Sequence, residues 1–320
     1  MSNPVLSDDI IKALTSYTAN MEVPVTFVLQ TGEHTKRDEL VEFLSAIAAV
    51  SDQLLLDERD CDSVLRSPVS FYLEVNGQST GIIFSGIPSG HEFNSLVLAI
   101  LRSSGTALKL DDGIQTMVAA IQERLHFEVF VSLSCHNCPD VVQALHQFAL
   151  LNDNVSAEMI DGGLYPELIE QRDIQGVPSV YLNGELFANG KVDTAKMIGK
   201  LQTLYPYLNE TTAEALPLQD VVIIGGGPAG ISAAVYSARK GLKVTVVAET
   251  IGGQVKDTMG IENLISVSST TGPKLTGDLL NHMNDYEVTL KEHLRVAGIA
   301  TGDVKAITLS SGEIIETKTI

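Results

Sequence analysis

Apolar and polar positions along the chain alternate between two rhythms, and the alternation occurs twice. Residues 27–40 (FVLQTGEHTKRDEL) and 130–143 (FVSLSCHNCPDVVQ) each begin with a short β-like apolar run and pass through a polar turn into a helical pattern. In the first helical pattern Leu40, Phe43, Leu44 and Ile47 fall on one face, and in the second Val141, Val142, Leu145 and Phe148 do so. Each copy then returns to an apolar run with a proline at its start, residues 67–77 (SPVSFYLEVNG) and 176–184 (GVPSVYLNG). Asn76-Gly77 and Asn183-Gly184 are hairpin-turn pairs. A final helical pattern closes each copy, Phe93 to Leu101 and Thr194 to Leu204. Ahead of the first copy, Ile10, Ile11, Leu14 and Tyr17 form one side of an amphipathic helix.

The order within each copy, β-α-β then ββα, is that of a thioredoxin fold. The chain is therefore expected to be α/β, with two tandem thioredoxin-like folds, residues 1–110 and 111–205. Residues 206–219 read as a linker with Pro206 and Pro217, partly helical around Ala213. An apolar strand follows and runs into a glycine turn, 220–230 (DVVIIGGGPAG). Then come a helix over 231–240 and a second strand over 243–249. Residues 220–320 are thus expected to be an incomplete Rossmann-like, doubly wound nucleotide-binding domain.

Composition narrows the function classes. A formal net charge of −19 disfavours nucleic acid and anionic membranes as partners. The N-terminus lacks the basic and apolar regions of a signal peptide. The most apolar stretch, 221–238, is broken by four glycines and a proline and is not expected to span a membrane. Three cysteines, Cys61, Cys135 and Cys138, are too few for a secreted disulfide scaffold and fit a reducing, cytoplasmic compartment. Two thiols alone cannot complete a tetrahedral zinc site, and no metal is expected. Cys61 sits among acidic residues that disfavour its thiolate, so it is expected to be an incidental thiol.

Cys135 and Cys138 form a CxxC at a helix start. There the first cysteine faces free backbone N–H groups and the positive end of the helix dipole, which favour a thiolate. This makes Cys135 the attacking thiol and Cys138 the resolving thiol. His136 either stabilises the thiolate when protonated or is an exposed turn residue. Pro178 has the setting of the cis-proline that faces the dithiol in thioredoxin folds, against the alternative of an ordinary trans edge proline. With the copies laid side by side, Gly32 falls opposite Cys135 and Thr35 opposite Cys138, so the first copy has no dithiol and reads as a packing partner. Gly225, Gly226, Gly227, Pro228, Ala229 and Gly230 form a G-x-G-x-x-G turn between strand and helix, and Glu249 follows 24 residues after Gly225 at a strand end. That context fits a dinucleotide pyrophosphate on the helix N-terminus with the acid on a ribose hydroxyl.

Taken together, GGGPAG, the strand ending in Glu249, IGGQ at 251–254 and DTMGIEN at 257–263 resemble the FAD domain of thioredoxin-reductase-type flavoenzymes. With the doubled thioredoxin fold and SCHNCP at 134–139 in front, the chain resembles the F subunits of bacterial alkyl hydroperoxide reductases along its whole length. The resemblance implies electron flow from NADH through FAD and a second CxxC to the Cys135–Cys138 pair. From there electrons pass to the disulfide of a peroxiredoxin, the C subunit. It further implies that Glu92 lies near the dithiol, with charge compensation at a helix N-terminus as the competing role. It assigns Gly225, Gly227, Gly230, Glu249, Gly253, Gln254 and Asn263 to FAD and suggests a full-length homodimer. The family continues beyond the equivalent of Ile320, so this chain is expected to be C-terminally truncated, without an NADH site of its own. Two other readings compete: a general thioredoxin-type protein disulfide oxidoreductase, and a non-catalytic docking module.

Overall fold

A computed structural model describes residues 6–61, 64–210 and 215–320; the helical character expected around Ala213 lies outside them. The helices are α1 Asp8–Thr18, α2 Arg37–Ala48, α3 Phe93–Ser103, α4 Asp112–Ala119, α5 Cys138–Leu151, α6 Pro166–Gln171, α7 Thr194–Leu204, α8 Pro228–Ala238 and α9 Gly272–Asn284. The strands are β1 Val25–Gln30, β2 Leu54–Arg59, β3 Ser70–Val75, β4 Gln78–Ser85, β5 Leu125–Val131, β6 Val155–Asp161, β7 Ser179–Leu182 and β8 Glu185–Asn189. They continue with β9 Gln219–Ile224, β10 Val244–Ala248, β11 Val288–Glu292, β12 Val296–Ala300, β13 Lys305–Leu309 and β14 Ile314–Thr319.

These elements group into two compact units. One comprises residues up to 109 together with 121–192, and the other comprises 110–120 together with residues from 193 onward. In this grouping α4 and α7 fall with the later unit.

The first unit is built on one eight-stranded sheet, ordered β2-β1-β3-β4-β6-β5-β7-β8. The order β2-β1-β3-β4 of the first repeat recurs as β6-β5-β7-β8 in the second. The join is a parallel pairing of β4 with β6, from Ile82 opposite Ala157 to Ser85 opposite Ile160. An edge strand of each repeat is thereby closed by the other, which removes two sets of unpaired backbone groups. Both Asn-Gly turns take the positive-φ pair that a tight hairpin requires: Asn76 and Gly77 at 52° and 76°, Asn183 and Gly184 at 50° and 88°. Phe27, Phe71, Phe84, Phe127, Phe130 and Phe148 are fully buried, each contributing roughly 2–3 kcal/mol of apolar burial. Helix α5 packs on β4 of the first repeat as well as on β5 and β6 of its own. The N-terminal helix departs from expectation in its face: Leu14 and Thr18 are buried, whereas Ile11 and Tyr17 are exposed. The helix contacts α3, and its buried positions, Leu14 and Thr18, lie four apart on a stripe that excludes those two side chains.

The second unit holds a six-stranded sheet, ordered β11-β10-β9-β14-β13-β12. β9, β10 and β11 run parallel, the arrangement of a nucleotide-binding crossover fold, while β12, β13 and β14 form an antiparallel meander. Ile231, Ala234 and Val235 of α8 bury against Val244, Val246 and Ala248 of β10 and Met283 of α9. Among the described residues no helix is long and apolar enough to cross a membrane.

Candidate functional site

Cys138 is the first residue of α5 and is fully buried; Cys135 lies three residues earlier and is half-buried. The N-cap residue Asn137 makes no side-chain capping bond among the described residues, which leaves the N–H groups of the first turn, where Cys138 sits, without that cap. The Cys135 Sγ–H points to the carbonyl of Val177 at 3.8 Å. The Val177–Pro178 peptide that carries this carbonyl is cis, as expected for Pro178. Burial, then the hydrogen bond between the two sulfurs, pushes the Cys138 thiol well above the usual thiol range, with the Glu92 charge adding to the effect. The inner thiol therefore stays protonated and donates to the outer sulfur.

Glu92 ends the turn Gly90–Glu92, just before α3 of the first repeat. Its side chain is fully buried, and among the described residues neither carboxylate oxygen has a hydrogen-bond partner of normal geometry. Burial pushes its carboxyl up to about 7, an effect partly countered by Ser95 and reinforced by Asp140. A carboxyl poised near neutrality on a turn that packs against α5, the helix of the dithiol, can take up and release a proton at physiological pH. His136 is exposed and its ring lies 4.1 Å, centroid to centroid, from that of His91. His91 is not among the residues that the sequence pattern singles out; its one signal is adjacency to Glu92.

The equivalent place in the first repeat is closed. The Arg37 guanidinium donates to the carbonyls of Gln30 and Pro68, the latter at 2.8 Å, and also pairs with Glu58. A Cβ on Gly32 would stand 2.8 Å from Pro68 Cγ, so a cysteine opposite Cys135 has no room there. Cys61 packs against the cluster of Val28, Leu65, Tyr72 and Ile83, and burial pushes its thiol up.

One further cluster lies on the same sheet. His126, Glu128 and Glu158 bring their ligand atoms within 4.8 Å of one another. Arg66 bridges the two carboxylates, Nη2 lying 2.6 Å from Glu128 and 2.8 Å from Glu158, and Arg172 donates to Glu128 at 3.1 Å. Burial alone would raise the Glu158 carboxyl, but His126, Arg66 and Ser85 outweigh it and hold it down at about 2. Two guanidinium groups thus satisfy the carboxylates where a cation would bind, making this an ion-pair network across the join of the two repeats.

In the second unit, Gly225, Gly226 and Gly227 connect β9 to α8, whose first turn holds Gly230, and Gly227 caps the helix without a side-chain capping bond of its own. A Cβ on Gly230 would sit 1.9 Å from the Gly225 carbonyl oxygen, so only glycine allows this helix to start against the strand. The N–H of Gly252 donates to Gly226 at 2.8 Å, and Gly253 approaches the Gly227 backbone. Gly252 and Gly253 thus join the glycine turn, next to exposed Gln254. Pro228 and Ala229 form the first turn of α8. These open N–H groups and bare backbone fit a dinucleotide pyrophosphate. Glu249 follows β10, as the ribose role requires, and is paired with Arg295 at 2.6 Å. Asn263 is exposed on a loop closed by the Ile261–Thr270 bridge. Among the described residues, no hydrogen bond or ion pair joins it to the glycine turn.

Residues 125–203 match the thioredoxin domain family, and residues 220–299 match the FAD dependent oxidoreductase family. Fold and site thus define a dithiol protein of the thioredoxin class joined to a flavin-oxidoreductase type of nucleotide-binding fold. The chain is 42% identical to the F subunit of alkyl hydroperoxide reductase of Staphylococcus aureus over 99% of its own length and 61% of that protein's. It is 39% identical, with the same coverage, to a Bacillus subtilis protein named NADH dehydrogenase. The crystal structure of the NTD_N/C domain of the alkylhydroperoxide reductase AhpF of Enterococcus faecalis matches at a TM-score of 0.53 and 34% identity. That match covers 58% of this chain and 95% of that one. The chain belongs to the family of alkyl hydroperoxide reductase F subunits, and it spans 61% of the length of the curated relatives it matches.

Proposed function

We propose that this chain is the dithiol-bearing part of a flavin-dependent disulfide reductase that passes electrons from NADH to a peroxiredoxin. The observation that carries the reading is the half-exposed Cys135, three residues before the buried Cys138 that starts α5, facing the Val177 carbonyl ahead of cis-Pro178, with the buried Glu92 on the turn that packs against α5. Cys135, as thiolate, attacks one sulfur of the partner disulfide; a mixed disulfide forms and the other partner sulfur leaves as a thiolate. Glu92 takes the Cys138 proton, Cys138 attacks Cys135, and the Cys135–Cys138 disulfide closes as the partner leaves with both its sulfurs reduced. The partner gains two electrons and the chain's dithiol loses two, so the step balances. Val177 and Pro178 present the backbone edge beside Cys135, and His136 lies at the exposed rim.

When bound, FAD supplies the electron passage from a nicotinamide nucleotide towards the dithiols. Gly225, Gly226, Gly227, Pro228, Ala229 and Gly230 would hold its pyrophosphate, with Gly253 and Gln254 alongside. Glu249 would take the ribose in exchange for Arg295, and Asn263 completes the proposed set. The peroxiredoxin partner, the full-length homodimer and the cytoplasmic setting belong to the same proposal. A general protein disulfide oxidoreductase differs from it in partner choice alone.

The test is thiol counting before and after dithiothreitol, followed by incubation with an oxidised peroxiredoxin. Two extra thiols on reduction, loss of transfer in Cys135→Ser, and a trapped mixed disulfide in Cys138→Ser are expected. An unchanged thiol count, or transfer persisting in Cys135→Ser, would refute the reading; equal rates on unrelated protein disulfides would favour the general oxidoreductase.

A further inference from the structure

We propose that His91, from the repeat that has no cysteine pair, is a positioning residue for the dithiol. It acts through His136, and the proposal rests on the reading of Cys135 above. The turn Gly90–Glu92 touches the loop before α5 at three points. Gly90, at φ +57°, lies so close that a Cβ would stand 2.5 Å from the Leu133 carbonyl oxygen. The His91 N–H donates to that same oxygen at 3.0 Å. The His91 ring packs on the His136 ring at 4.1 Å with the planes inclined by 57°. The same turn ends in Glu92 and packs against α5, which Cys138 starts.

The loop itself has few ties of its own. Ser132 and Ser134 share a 3.1 Å contact, and the Cys135 N–H bonds back to Ser132. His136 and Asn137 are exposed. Packing of His91 on His136 therefore fixes the one large side chain between the two cysteines. It also holds the Cys135 sulfur where the open end of α5 faces it. The first repeat, whose own equivalent site Arg37 closes, thus keeps a share in the chemistry of the second.

The experiment uses the full chain with Cys61→Ser, reduced, and a nitrothiobenzoate disulfide as probe. Cys135 attacks the probe and releases one coloured thiolate; Cys138 then displaces the second as the Cys135–Cys138 disulfide closes. His91→Ala is expected to slow the first release by about two- to tenfold, the range set by one aromatic contact. His91→Phe, which keeps a ring on His136, is expected to restore the rate. In a His136→Ala background, His91→Ala is expected to have no further effect. Circular dichroism matching the parent establishes that each variant is folded. An unchanged rate in His91→Ala overturns the proposal, as does an equal loss in the His136→Ala background or failure of His91→Phe to rescue. A parent chain whose Cys135 does not react at all refutes the dithiol reading itself, a different result from normal reaction with an indifferent His91.

Discussion

Glu92 offers a test of the site that needs no partner and no flavin. Its carboxyl is fully buried, has no hydrogen-bond partner of normal geometry among the described residues, and is pushed up to about 7 from an ordinary 4.5. In the unfolded chain it ionises at its ordinary value, so between those two pH values folding requires a proton that the unfolded chain has lost. The sign follows: the neutral acid costs nothing extra below the unfolded pKa, and a penalty grows as pH rises and is complete above the folded pKa. A shift of this size corresponds to about 3 kcal/mol at most. Glu92→Gln keeps the shape and removes the titration; its amide also lacks partners, which adds a pH-independent offset. Urea unfolding of the reduced parent and variant, followed by circular dichroism at several pH values, reads the difference directly. The variant is expected to gain about 3 kcal/mol on the parent between about pH 4.5 and 8, with the change complete just above neutrality. A difference that stays flat across that interval would refute the argument that the carboxyl is buried, unpartnered and poised for proton transfer.

Two further predictions address the core and the nucleotide fold. His146 on α5 is fully buried, has no partner for either ring nitrogen among the described residues, and burial pushes its pKa down to about 3, aided by Arg102. Its share of stability is therefore present above about pH 6.5 and lost as pH falls below that value. His146→Phe, which can keep the edge contact with Phe84, is expected to raise the melting temperature more at about pH 5 than at about pH 8; an equal gain at both would refute the assignment. Gly230→Ala is expected to abolish flavin binding to this chain, because its Cβ would collide with the Gly225 carbonyl and displace the start of α8. Flavin absorbance retained after gel filtration checks it, and undiminished retention in the variant would count against the glycine turn as the pyrophosphate cradle.

The repeat was legible in the sequence because hydrophobic period and turn chemistry are local. Leu40, Phe43, Leu44 and Ile47 mark a helix face wherever that helix packs, and Asn76-Gly77 and Asn183-Gly184 force a turn whatever strands they join. The CxxC at the start of α5 and the glycine turn before α8 are local in the same sense, since their chemistry depends on a helix end a few residues away. Ile11 and Tyr17 show the limit: periodicity placed them with Leu14, but the narrow contact made by α1 leaves them in solvent.

What tertiary structure decided are pairings between residues far apart in the chain. Nothing local says that β4 and β6 pair to make one sheet, or that Arg66 bridges Glu128 and Glu158 across that join. Nor does local pattern show that Arg37 closes the site opposite the cysteines, or that Arg295 reaches Glu249. The state of Glu92 and the tilted ring contact of His91 with His136 belong here too. An acid and an imidazole in a polar turn are unremarkable until another fold buries the one and meets the other, because desolvation and ring contact depend on what packs against a side chain and not on its neighbours in sequence.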